Sequence, residues 1–345
     1  MRYGMIGSGS WGTALVKVLT AKGHALTWRV RHEDDCRHIR AEGRNPRYLS
    51  DVPLDTRLLA LTTDTADVLA ACDIVVVAVP SAFVEETFAG LDAASWRARR
   101  VLSAVKGILP GHDRLLNEYL AERFGLPLDH YHTVMGPCHA EEVAAGKLSY
   151  LTFSGIDVAA TERIAADFRT PYVNCIVNTD LVGVQYAAVL KNIYAIGAGI
   201  AQGLGYGDNF LSVLIANCAD EMAGFLRQAG IPNIEVGVHG EAQGPLHRKS
   251  LNYAASVYLG DLLVTCYSPY SRNRMFGRLI GLGHSVGAAH QEMSMVAEGH
   301  TACRGIHHVN RRLGADIPIA ETVYRILWDE LPAAEGVRLL EDILV

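Results

Sequence analysis

No metal-ligand pattern punctuates this chain of 345 residues: its fourteen histidines contain no H-E-x-x-H and its seven cysteines no C-x-x-C. Cys36, Cys72, Cys138, Cys175, Cys218, Cys266 and Cys303 are scattered and odd in number. That excludes a complete disulfide framework, and reduced thiols in a cytoplasm are expected instead of disulfides or a metal site. Excess positive charge is missing too. The net charge of −6 argues against a general nucleic-acid or membrane-surface binder, while leaving room for a local basic pocket. There is no internal repeat and no low-complexity tract. No secretory leader is expected, since Met1 lies almost at a glycine loop. One apolar run, Leu181 to Gln202, approaches the length of a membrane span. Its Gln185, Lys191, Asn192 and glycines argue instead for a helix buried in a helical domain. What remains is an ordinary globular composition, half apolar and one-fifth charged, long enough for two domains.

The densest signal is at the start. Tyr3 to Ile6 is a short apolar run with the character of a buried strand. It leads directly into Gly7-Ser8-Gly9-Ser10-Trp11-Gly12, a G-x-G-x-x-G pattern, and then into a helix from Thr13. Gly7 permits the tight strand-to-helix turn, Gly9 lets a pyrophosphate approach the backbone, and Gly12 lets the helix pack closely. The helix N-terminus offers free N–H groups to the anion. Ala25 to Val30 reads as a second strand, followed by Arg31 and His32 where an acidic ribose reader selects NAD. A cation there suits the extra 2′-phosphate of NADP; an arginine at a strand end is equally at home in solvent, and spacing alone does not decide.

Asp73 to Val79 is a β-branched run apolar on both faces, as a parallel sheet covered on both sides requires. It ends in Pro80-Ser81. Further strands are expected at Arg100 to Gly107, Tyr131 to Pro137, Tyr150 to Phe153 and Val173 to Val177. The alternation of strands and helices indicates a doubly wound α/β domain over residues 1–180. From 181 to 345 the pattern is helical. Helices are expected over 181–202 and 210–229, with further pieces within 258–283, 293–313 and 319–330. The polar, glycine-punctuated segment 237–256 reads as a loop insertion.

Two places carry chemistry. Lys191 stands in the middle of an apolar helix, beside Asn192. A buried lysine is expensive unless paired or lowered in pKa, and a lowered lysine is a competent general base; the alternative is a stem that snorkels to solvent. Asp261 and Thr265 lie one helical turn apart and suit one pocket. Ser271-Arg272-Asn273 offers a hydroxyl, a forked cation and an amide, a set that suits a phosphate or carboxylate and also suits a plain helix cap.

Gly7 to Leu15, Ser103 to Gly107, Gly136-Pro137, Val189 to Asn192, Gly203 to Asn209, Gly260 to Leu262, Ser271 to Asn273 and Val296 to Gly299 occur in that order. Together they closely resemble the bacterial-type NAD(P)-dependent glycerol-3-phosphate dehydrogenases over nearly the whole chain. The resemblance implies an N-terminal Rossmann domain and an all-α C-terminal domain like that of 6-phosphogluconate dehydrogenase. It implies NAD or NADP as cofactor, a phosphorylated triose as substrate, and a role in glycerophospholipid synthesis. A cytoplasmic homodimer with no stable membrane insertion is expected. Carried over position by position, Ser10, Trp11, Arg31, Ala140, Val296 and Glu298 match nucleotide contacts. Lys106 matches a position touching both cofactor and substrate. Gly136 and Cys138 match substrate contacts, and Lys191 the proton acceptor, with Asn192 and Asp261 beside it. Ser271, Arg272 and Asn273 match the substrate site, Arg272 also approaching the cofactor.

The chain departs from the family pattern in places. Gly136-Pro137-Cys138-His139-Ala140 replaces Gly-Pro-Ser-Phe-Ala, and a thiol is a weaker donor than a hydroxyl. Gln185 stands where an acid is usual. Arg29-Val30-Arg31 ends the second strand atypically, and the segment before Gly260 is long and polar. Two rival readings remain distinguishable. Another hydroxyacid dehydrogenase of the 6-phosphogluconate-dehydrogenase-like group should lack the Ser271-Arg272-Asn273 set, and a silent nucleotide-binding protein should not turn over.

Overall fold

A computed structural model describes residues 1–231, 255–293 and 296–345. The polar segment 237–256 therefore lies outside the described residues, except for Ala255 and Ser256. The chain divides into two compact units, one formed by Met1–Val105 with Arg114–Leu181, the other by Lys106–Asp113 with Val182–Val345. The division is not a single cut near residue 180: eight residues beginning with Lys106 belong to the second unit.

The first unit is built on one eight-stranded sheet. Its strands are β1 (Tyr3–Ile6), β2 (Leu26–Arg29), β3 (Leu59–Thr62), β4 (Ile74–Val77), β5 (Arg100–Ser103), β6 (Tyr131–Met135), β7 (Ser149–Ser154) and β8 (Val173–Asn178). Their order is β3-β2-β1-β4-β5-β6-β7-β8, parallel except for the β6·β7 pair. Strand order reverses between β1 and β4, the switch point outside which open α/β sheets bind ligands. All four residues of β4 are buried, and the isoleucine and valines there contribute roughly 1.5–3 kcal/mol each by leaving water. Met5, Leu15, Trp28, Val76, Leu102, Val134 and Phe153 share one core. β3 has no counterpart among the expected strands. It is one of the two edge strands, partly exposed along its length, and it lacks the continuous apolar run that marks the buried ones.

The second unit is helical. The expected long helix spans Leu181–Gly203, and the next Asp208–Gln228. The 181–203 helix is long and apolar enough to cross a membrane, but 89% of its most apolar stretch is buried inside the protein. Asp261–Tyr267, Arg272–Gly281, Val286–Glu292, Glu298–Leu313, Pro318–Trp328 and Ala333–Glu341 follow. The piece expected to start at Met293 starts at Glu298, because Met293 ends the preceding helix in extended backbone. The helix Ala333–Glu341 was not expected from the sequence; Gly336 falls within it.

Candidate active site

The glycine loop behaves as its residue types require. Gly7 has φ +121° and a Cβ there would lie 2.3 Å from the Ala78 carbonyl oxygen, so conformation and space both demand glycine. Trp28 Nε1 donates to the Gly7 carbonyl at 2.9 Å and holds the turn from below. A Cβ on Gly12 would lie 2.3 Å from the Gly7 oxygen, which is the close helix packing the motif predicts. Gly9 differs: a Cβ there meets nothing within 4 Å. The open space beside its backbone is the approach a pyrophosphate needs, and the residues present fit a dinucleotide. Ser10 opens the helix Ser10–Ala21, whose first N–H groups lack helical acceptors and carry the positive end of its dipole. Trp11 packs half-buried against the core. Asn45, absent from the sequence reading, is buried and donates to the Ser8 carbonyl at 2.9 Å and the Thr13 hydroxyl at 2.8 Å. It stands in a polar stretch with no pattern that marks it.

At the carboxyl end of β2, the Arg31 backbone N–H donates to Ser8 Oγ at 3.4 Å. The exposed Arg31 guanidinium lies 5.6 Å from the centre of the Phe83 ring, within cation–π range. His32 is exposed and precedes the helix Glu33–Glu42 without capping it through its side chain. After β6, Gly136 has φ +120° and a Cβ there would lie 2.8 Å from the Tyr150 oxygen. The Cys138 thiol donates to the Gly136 carbonyl at 3.1 Å, and Ala140 is buried at the start of the helix Ala140–Ala144. These positions all follow the carboxyl ends of parallel strands of one sheet.

The second unit gathers the charged candidates. Lys191 and Asp261 are buried, 4% and 1% exposed, and form an ion pair. Asp261 Oδ2 is buried and has no hydrogen-bond partner among the described residues. A buried acceptor left so costs roughly 1–3 kcal/mol, and a catalytic role is one of the reasons a fold keeps it. Asn192 donates to the Lys106 carbonyl at 3.2 Å, fixing the 106 segment against the helix that carries Lys191. Glu298 joins the cluster. Burial pushes its carboxyl above the usual range, while the charges of Arg272, Lys106 and Lys191 pull it back. Its Oε2 also lacks a partner among the described residues. Three cations and two carboxyls therefore share one field, with buried acceptors still open.

The other polar side chains are engaged within the fold. Thr265 is buried, but its hydroxyl donates to the Asp261 carbonyl at 2.6 Å. Ser271 caps the helix Arg272–Gly281 by accepting from the Arg274 N–H at 3.3 Å. Asn273 Oδ1 accepts from the Gly299 N–H at 2.9 Å and so pins the start of the Glu298 helix. Of the Ser271-Arg272-Asn273 set, Arg272 is the charged donor, and the serine and the asparagine oxygen hold helix ends. Val296 is exposed. The sequence reading also missed what brings these helices close. A Cβ on Gly277 would lie 2.0 Å from the Ile196 oxygen, and one on Gly299 2.5 Å from the Asn192 oxygen. The signal was present as Gly199/Gly203 and Gly277/Gly281, two pairs at helical spacing, of which Gly203 and Gly281 meet.

Residues 3–160 match the family of NAD-dependent glycerol-3-phosphate dehydrogenase N-termini, and residues 180–338 the corresponding C-termini. The NAD(P)+ glycerol-3-phosphate dehydrogenase of Pelodictyon phaeoclathratiforme is 32% identical over 98% of this chain and 96% of its own. One from Salinibacter ruber is 33% identical over 94% of this chain and 90% of its own. The crystal structure of glycerol-3-phosphate dehydrogenase from Coxiella burnetii superposes with a TM-score of 0.84 at 27% identity, covering 98% of both chains.

Proposed function

The chain belongs to the NAD-dependent glycerol-3-phosphate dehydrogenase family, and on that premise we propose a role for each residue of the charged cluster in an NAD(P)-dependent dehydrogenase. The enzyme interconverts dihydroxyacetone phosphate and sn-glycerol 3-phosphate, a small phosphorylated substrate, and its product is the backbone of glycerophospholipids. Gly7, Gly9, Ser10, Trp11, Gly12, Arg31 and His32 hold the cofactor, with Lys106, Ala140, Arg272, Val296 and Glu298 assigned to the same task by the resemblance. When bound, the nicotinamide supplies or accepts the hydride. Lys191 protonates the developing alkoxide at carbon 2, and in the opposite direction takes the hydroxyl proton. Asp261 holds the lysine in place through their buried ion pair. Arg272 and Lys106 offset the phosphate charge, and the Asn273 amide N–H2, Gly136 and Cys138 complete the substrate contacts. Thr265 and Ser271 serve the site through the helices they tie down.

The observation that carries this reading is the buried Lys191–Asp261 pair with an open acceptor on Asp261 and three cations around Glu298. The test is the change in reduced-nicotinamide absorbance with dihydroxyacetone phosphate and each of NADH and NADPH. No turnover with either, from a folded protein, sinks it. We also place the enzyme in the cytoplasm. The support is seven free thiols, five of them buried, and an apolar helix used inside the fold. The expected homodimer is read by light scattering.

A further inference from the structure

Arg29 and Arg31 stand two residues apart at the carboxyl end of β2, with buried Val30 between them. Arg31 is near enough for its charge to act on Arg29, so the two cations lie close together. Arg29 is in register with Ile6, the residue immediately before Gly7, so the pair lies beside the phosphate loop. Each is anchored without being neutralised. Arg29 is half-buried and its Nε donates to the Thr63 carbonyl at 3.3 Å. Arg31 is tied through its backbone to Ser8 and through its guanidinium to the Phe83 ring.

Among the described residues neither arginine forms an ion pair, whereas Arg37, Arg40 and Arg47 on the following helix and loop each sit against a carboxylate. Burial first, and then the charge of Arg31, hold the Arg29 guanidinium below the usual arginine range. Glu86 and Asp64 face Arg29 and offset part of that without reaching it. A lone exposed arginine is at home in solvent. A second one, half-buried and repelled by the first with no acid in contact, is an arrangement that an anion stabilises.

We propose that Arg29 and Arg31 together bind the 2′-phosphate of NADP(H), with Arg29 the residue by which this chain selects NADPH over NADH. The proposal rests on the dehydrogenase reading for the identity of the site and adds the specificity of its cofactor. Where an NAD-selective turn places an acid on the ribose hydroxyls, this turn offers two guanidinium groups in its stead.

The test does not require turnover. Calorimetry on the full chain compares adenosine 2′,5′-bisphosphate with adenosine 5′-monophosphate, which differ only in the phosphate at issue. The wild type is expected to prefer the bisphosphate by about threefold or more. Arg29→Gln is expected to cut that preference by about threefold or more while binding the monophosphate as before. Smaller values in either comparison overturn the proposal, as does an equal loss of both ligands by a variant that keeps its melting temperature. Should Arg29→Gln not fold, Arg29→Lys is the second arm. It keeps the stem and the charge but not the fork, so a partial loss is expected, and an unchanged preference overturns the proposal. A chain that prefers the bisphosphate but turns over no dihydroxyacetone phosphate loses the dehydrogenase reading and keeps this site. A chain that turns over with no bisphosphate preference does the reverse.

Discussion

The glycine loop and the charged cluster are built on opposite principles. The loop works by what it leaves out: Gly7 and Gly12 give way to neighbouring backbone, and Gly9 leaves open space. Its parts lie within six consecutive residues. The cluster works by side chains carried from Lys106 to Glu298 on five segments of one helical unit. At its glycines the first site is damaged by adding atoms, whereas the second is damaged by removing or misplacing side chains. That difference orders the consequences of mutation.

Lys191→Met is expected to have the largest effect. Loss of an acid–base group typically lowers kcat by ~10²–10⁴-fold. Nucleotide binding, measured by protein fluorescence, should be largely spared because the loop is untouched. A fall of less than about tenfold with chemistry rate-limiting contradicts the role given to Lys191.

Arg272→Ala comes next. Truncating one partner of a desolvated charge pair costs on the order of 2–5 kcal/mol, expected here in kcat/KM for dihydroxyacetone phosphate. Unphosphorylated dihydroxyacetone should be affected little. Equal losses for both substrates mean that Arg272 does not read the phosphate.

Glu221 sharpens the comparison from the side of stability. It is buried in the helical unit, accepts from the Ile319 and Ala320 N–H groups at 2.6 and 2.9 Å, and burial raises its carboxyl to about 7. The folded state thus holds this proton more tightly than the unfolded chain, whose value is near 4.5. Stability is therefore expected to fall as pH rises from about 4.5 to about 7 and to level off above, by on the order of 3 kcal/mol. Urea unfolding at pH 5 and pH 8 should show this component in the wild type and not in Glu221→Gln. Parallel pH profiles refute it.

Gly12→Ala tests the loop by addition. Its Cβ meets backbone rather than a flexible side chain, so the helix must shift away from the turn. Nucleotide affinity should drop by about one decade, or ~1.4 kcal/mol, and the protein should melt a few degrees lower. Unchanged affinity contradicts the role given to the close packing at Gly12. Cys138→Ser has the smallest expected effect, a modest fall in KM for dihydroxyacetone phosphate as a stronger donor replaces the thiol. Alkylation of wild-type Cys138 that leaves activity intact places it outside the substrate site.

Legibility followed the same divide. The turn, the buried strands and the long Lys191 helix were readable because period, β-branching and glycine spacing act over a few residues. The edge strand β3 was not, since partial exposure weakens its pattern. Asn45 was not, because one asparagine in a polar stretch carries no period. Spacing leaves Ser271 open between a ligand and a helix cap and sets Thr265 in one pocket with Asp261; their neighbours show that Thr265 bonds its own helix and that Ser271 caps one.

By itself the sequence determined the dinucleotide turn, the α/β-then-helical order and, through ordered motifs, the family. Each depends on local backbone chemistry or on residues whose spacing is preserved along the chain. The resemblance set Asp261 beside Lys191, but only the tertiary structure decided that the two, seventy positions apart, form a buried ion pair, that the Lys106 segment belongs with the helical unit, and that Glu298 stands among three cations. Those contacts are set by which helix faces can approach closely, as Gly277 and Gly299 allow, and close approach depends on both partners at once.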